Sequence, residues 1–108
     1  MYVIREVMYC KPGKVKPLVE KFHAMNAISA RGGMPAMRIM TDFVAEQYWT
    51  VVAEMEVESI DAFEQMMSGT GQGSDSDMKE MEKIMKDYHE LVDHGKREIY
   101  RVETGGKR

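Results

Sequence analysis

Arg38, Tyr48 and Glu54 are the residues of this chain whose types and spacing lend themselves most readily to chemistry. A guanidinium can hold an anionic or carbonyl group, and a carboxylate beside it can act as a base or orient what the arginine holds. The competing reading of Arg38 and Glu54 is a cross-strand ion pair. The three histidines, His23, His89 and His94, offer less. His89 and His94 are five positions apart, about 140° around a helix, so one helix face cannot present both to a metal. His94 precedes Gly95 and suits the cationic end of a helix. No dense company of carboxylates or thiolates surrounds any histidine, and no metal site is expected. Cys10 is the lone cysteine, which excludes an intramolecular disulfide. No Gly-x-Ser-x-Gly occurs, and Ser29, Ser59 and Ser76 fall in or at the ends of helices.

The stretch Gly69-Thr70-Gly71-Gln72-Gly73-Ser74 invites comparison with a phosphate cradle. Its glycines alternate, where a dinucleotide loop needs G-x-G-x-x-G after a strand, and a P-loop lysine is missing. Asp75-Ser76-Asp77 lacks the further ligands of a calcium loop. Residues 68–77 therefore read as a break between two helices, with Ser74 and Asp77 near capping-box spacing, and as a candidate lid.

Those residues are positioned by one domain, residues 1–103, followed by a tail at 104–108. A net charge of −3 without a basic face argues against nucleic acid. No apolar run approaches a membrane span and no signal peptide is visible, so a cytoplasmic protein is expected. Twelve methionines in 108 residues are an excess, and most fall on helix or strand stripes that suit core packing.

Tyr2 to Cys10 has strand composition, and Lys11-Pro12-Gly13-Lys14 is a turn. Val15, Leu18, Val19, Phe22, Met25 and Ile28 make the apolar stripe of a helix over about 14–30, with His23 at its edge. Residues 35–43 and 48–57 form a hairpin around Ala45-Glu46-Gln47. This register sets Phe43 opposite Trp49, Arg38 opposite Glu54 and Asp42 opposite Thr50. Trp49 then lies in the core. Ser59 caps a short helix beginning at Ile60. A third helix runs over about 77–93, and the last strand over about 96–103, with the facing of strands one and four open.

The order gives an α+β ferredoxin-like βαββαβ sandwich on a four-stranded antiparallel sheet. Helices cover one face; the other carries Arg38, Met40, Tyr48, Thr50, Val52 and Glu54, too apolar to lie bare. Pairing two such faces makes a homodimer with a lumen of mixed polarity. The first strand running into Lys11-Pro12-Gly13-Lys14, the helix with Phe22 and the Trp49 strand resemble the dimeric α/β-barrel superfamily of NIPSNAP and antibiotic-biosynthesis-monooxygenase-like proteins. Where NIPSNAP-like chains carry Glu-x-Arg-x-Tyr, this chain has Ile4, Glu6 and Met8, so that chemistry does not carry over.

The resemblance implies a small-molecule binder, or a cofactor-independent enzyme of monooxygenase or isomerase type, with Arg38, Tyr48, Glu54 and His23 around a polar lumen. The alternative is a non-catalytic dimeric interaction or regulatory module with a closed lumen. Heme binding through His23 is a third reading; no cofactor is expected under the first two.

Overall fold

A computed structural model of the chain describes residues 1–68 and 75–105. The elements run β1 (Tyr2–Cys10), α1 (Val15–Arg31), β2 (Arg38–Thr41), β3 (Thr50–Val57), α2 (Ile60–Ser68), α3 (Asp75–Ile84), a 3₁₀ turn (Met85–Asp87), α4 (Tyr88–Leu91) and β4 (Val92–Arg101). The antiparallel sheet has the order β2-β3-β1-β4, as the ferredoxin-like topology requires.

Side chains alternate along each strand, so the cross-strand pairs sort the sheet into two faces. The helix-covered face carries Ile4, Glu6, Met8 and Cys10 of β1, with Val51, Ala53, Met55 and Val57 of β3. Two buried clusters occupy it. Leu18 and Phe22 of α1 pack with Met8, Cys10, Val51, Ala53 and Leu91, while Phe63 of α2 packs with Ile4 and Val57. Leu18 is wholly buried, and removing such a side chain typically costs ~2–5 kcal/mol. The core is thus split in two, and on β1 the division falls at Glu6.

Local hydrogen bonds fix the helices over the sheet. Gly33 takes φ +75°, and Met34 N–H donates to the Ser29 carbonyl, closing α1 as the paired glycines predict. Asn26 exchanges two 2.9 Å bonds with the backbone of Met37, holding the segment ahead of β2 against α1. Lys21 donates to the Ile84 carbonyl at 2.6 Å, and Arg31 pairs with Asp77 and Glu80, so α1 and α3 are clasped along their length. Ser59 Oγ accepts from Ala62 N–H and caps α2.

Three expectations are corrected. The hairpin has the predicted register, Arg38 opposite Glu54 and Thr41 opposite Val51, but its strands are shorter and residues 42–49 lie outside them. Asp42 Oδ1 accepts from Thr50 N–H, which ends the ladder, and Trp49 adopts φ +62°. Trp49 is therefore 43% exposed instead of in the core, beside Phe43, Val44 and Tyr48 at 86% or more. The third helix tightens into a 3₁₀ turn and stops at Leu91, whose carbonyl accepts from Lys11 N–H. His94 is consequently a strand residue opposite Tyr9, its ring 4.7 Å from the tyrosine's, and caps no helix. The glycine stretch and the Ser74 cap lie outside the described residues.

Candidate functional site

Two polar groupings stand back to back on the sheet. On the open face, the register forms a row across all four strands, Arg38–Glu54–Arg5–Glu98. Arg38 donates to Glu54 Oε1 at 2.6 Å, and this bond and the adjacent charge hold its guanidinium still more firmly protonated. Arg5 Nε lies 3.2 Å from the other Glu54 oxygen, without the alignment of a hydrogen bond. The charges alternate in sign and neutralise one another. A groove of about 320 Å³ beside the row is lined by Arg38, Glu54 and Glu56, with Pro35, Ala36 and Met55.

The structure thus brings Arg38 and Glu54 together, and leaves the other two expected site residues apart. Tyr48 lies in the 42–49 segment, next to a separate groove with Trp49 and Val15. His23 is exposed on α1, in the layer covering the opposite sheet face, while its neighbour Phe22 points into the core.

The second grouping lies one step along the sheet, on the helix-covered face, where the row reads Ile39–Ala53–Glu6–Arg97. Ala53 is small, and beside it the helix layer leaves a space against the sheet. The space is a cavity of about 330 Å³ between the two core clusters. Its walls hold nine of the twelve methionines: Met8 and Met55 from the sheet, Met25 from α1, Met34 and Met37 ahead of β2, Met66 and Met67 from α2, and Met81 and Met85 from α3 and the turn after it. Phe22, Phe63 and Ala53 complete much of the apolar lining, and Glu6, Arg97 and Tyr88 supply polar groups.

Arg97 donates to Glu6, and its guanidinium carbon sits 5.3 Å from the centre of the Phe63 ring, within cation–π range. Both members of the pair retain partial exposure, so they stand at an opening and not in a sealed core. Burial pushes the Tyr88 phenol above its ordinary range, and the nearby charge of Glu6, joined by Cys10 once that thiol ionises, adds to the effect. Tyr88 is therefore a neutral hydroxyl that can donate a hydrogen bond. Burial likewise raises the Cys10 thiol, with Asp42 contributing, which keeps it a thiol and a poor nucleophile.

Sequence reasoning left Glu6, Arg97 and Tyr88 unassigned. The signal for them was the lone charge in the even-numbered set Ile4, Glu6, Met8, Cys10, which becomes legible only once β1 is known to face the helices with that set. Among the described residues no cluster of three or more His, Cys, Asp or Glu could hold a metal, and no helix is long and apolar enough to cross a membrane.

No family model matches the chain, and no curated protein matches it. Solved structures do. A NIPSNAP domain protein from Burkholderia xenovorans, described as uncharacterized, superposes with a TM-score of 0.69 at 12% identity, covering 100% of this chain and 99% of the other. A NIPSNAP-like domain protein from the same organism gives 0.73 at 9% identity, over 99% and 89% of the two chains. A candidate antibiotic biosynthesis monooxygenase from Nitrosomonas europaea gives 0.68 at 13% identity, over 96% and 100%. The chain therefore shares the ferredoxin-like fold of NIPSNAP and antibiotic-biosynthesis-monooxygenase-like structures. At such identities the likeness concerns the fold alone, and a fold does not carry a function with it.

Proposed function

We propose that this chain is a small-molecule-binding protein whose ligand occupies the methionine-lined cavity between sheet and helices, and that two chains work as a homodimer joined through their open sheet faces. The carrying observation is the cavity itself: about 330 Å³, apolar on most sides, with Glu6, Tyr88 and Arg97 among its lining. Small-molecule sites have that makeup, a mostly apolar concavity with a few placed polar groups. Methionine side chains are flexible and polarisable, and suit walls that adapt to an occupant.

The proposal extends to cofactor-independent turnover of monooxygenase or isomerase type; antibiotic biosynthesis monooxygenase is the description that several structures of this fold carry. Glu6, once parted from Arg97, is a proton acceptor; Tyr88 is a proton donor; Arg97 stabilises an oxyanion. Together they suit removal of a proton adjacent to a ligand carbonyl.

The open face supports the dimeric part of the reading. It presents Met40, Val52, Val3 and Tyr100 around the Arg38–Glu54–Arg5–Glu98 row. A row of alternating sign can meet its own copy across a two-fold axis. Arg38 and Glu54 then close an interface. The competing reading, a ligand held by Arg38 and Glu54 in the dimer lumen, is favoured by the groove beside them. A non-catalytic dimeric module is what remains if neither space takes a ligand.

The test is calorimetric titration of the full chain with 1-naphthalenemethanol, a neutral apolar probe, alongside light scattering. Saturable binding at one site per chain and a mass of twice 12.4 kDa are expected. Absence of binding refutes the cavity reading, and a monomer refutes the dimer.

A further inference from the structure

We infer that the ligand of this cavity is an amphipathic monocarboxylate, whose apolar body lies among the thioethers and whose carboxylate takes the place of Glu6 on Arg97. The inference rests on the cavity reading above and adds the ligand's charge and polarity.

Four observations carry it. The polar pair is at the opening and the apolar walls lie beyond it: the side chains of Arg97 and Glu6 are 43% and 31% exposed, while Met8, Phe22 and Ala53 are buried. A ligand with one charged end and one apolar end matches that gradient. Secondly, the pair is partly solvated, and such ion pairs contribute little net stability, so parting Glu6 from Arg97 costs little. The ligand's apolar body shields its own carboxylate–Arg97 contact from water, which makes that contact stronger than the solvated pair it replaces, and burial of the body adds to the binding.

Thirdly, Arg97 has an anchor that does not depend on Glu6. Its guanidinium lies over the Phe63 ring, so it stays at the opening when Glu6 turns away. Its planar donor fork also fits a carboxylate two-fold. Finally, Arg101 follows four residues later on the same face of β4, paired with Tyr2, so that face of the strand carries a second cation beyond Arg97. Tyr88, a neutral hydroxyl lining the same cavity, is available as a further donor to an anion. An amine would have to compete with Arg97 for Glu6 and would face the arginine's charge.

Three isosteric probes test this on the full chain: 1-naphthoate, 1-naphthalenemethanol and 1-naphthalenemethylamine, titrated calorimetrically at fixed ionic strength. The carboxylate is expected to bind at least ~10-fold more tightly than the alcohol, a difference of about 1.4 kcal/mol. The amine binds most weakly. Glu6→Gln removes the competing carboxylate and tightens 1-naphthoate binding, whereas Arg97→Gln abolishes the preference for it. The double variant Glu6→Gln/Arg97→Gln leaves no unpaired charge, guards against misfolding of the single ones, and binds alcohol and carboxylate alike. Equal binding of alcohol and carboxylate to the unsubstituted protein, or preference for the amine, overturns the inference and leaves the cavity reading intact. Failure of all three probes to bind overturns both.

Discussion

Replacing Ala53 by leucine puts three further carbons into the cavity from the centre of its floor. Ala53 is almost fully buried, lines the cavity, and stands between Ile39 and Glu6 in the cross-sheet row. Burying three carbons is worth about 2 kcal/mol at ~0.8 kcal/mol each, and fixing the leucine rotamer takes back ~0.5–1 kcal/mol. Ala53 borders a space of about 330 Å³, into which the longer side chain can extend between flexible methionines. Ala53→Leu should therefore leave stability unchanged or raise it by about 1–2 kcal/mol in urea unfolding. It should also weaken 1-naphthalenemethanol binding by at least ~10-fold. These two effects have opposite signs, which a general disturbance of the fold does not produce. Destabilisation by the ~1–3 kcal/mol typical of overpacking would show that no such space exists in solution. Unchanged stability with unchanged binding would place the ligand elsewhere.

Three further outcomes follow from the packing. Leu18→Ala empties the centre of the larger core cluster and should cost ~2–5 kcal/mol in urea unfolding, a loss well above that of an exposed position such as Lys16. Gly95→Ala would put a β-carbon 2.7 Å from the Val7 carbonyl oxygen, which is backbone of a central strand and cannot rotate aside. A loss of ~1–3 kcal/mol is expected, with amide exchange accelerated first along β4; full retention of protection there would contradict the packing. Tyr88 and Cys10 are both neutral when protonated, and both have folded values raised above their ordinary 10.0 and 9.0. Their contribution to stability is thus complete below about pH 9 and is lost as pH rises through the raised values. Urea midpoints should fall on the alkaline side, and Tyr88→Phe should make that fall shallower; an unaltered alkaline limb would contradict the burial of the phenol.

Much of the fold was legible because it rests on short-range chemistry. The α1 stripe, the Gly33 stop and the Ser59 cap are local, and matching the odd-numbered apolar faces of the two strands, supported by the opposite charges of Arg38 and Glu54, set the hairpin register. Trp49 was misplaced because alternation alone continues the strand through it. What ends the strand is a side-chain bond, Asp42 to Thr50 N–H, that the pattern does not encode. His94 was misplaced because helix and strand periodicity both tolerate residues 88–95, and the choice is made by β1 pairing with the far segment. The Glu6–Arg97 pair joins residues 91 positions apart, and the cavity beside it is a property of three elements meeting over a small residue. Methionine excess was visible in the composition, yet composition cannot say that nine of the twelve surround one space.

The back-to-back arrangement makes the location of ligand binding directly measurable through methionine. Nine methionine methyls line the cavity, while Met40 lies on the open face with the Arg38–Glu54 row. With [methyl-¹³C]methionine incorporated, 1-naphthoate titration should shift a group of resonances assigned to cavity positions such as Met8, Met55 and Met85, and leave Met40 in place. Movement of Met40 with the cavity methyls still would put the ligand in the dimer lumen and contradict the assignment of Glu6, Tyr88 and Arg97 as its polar contacts.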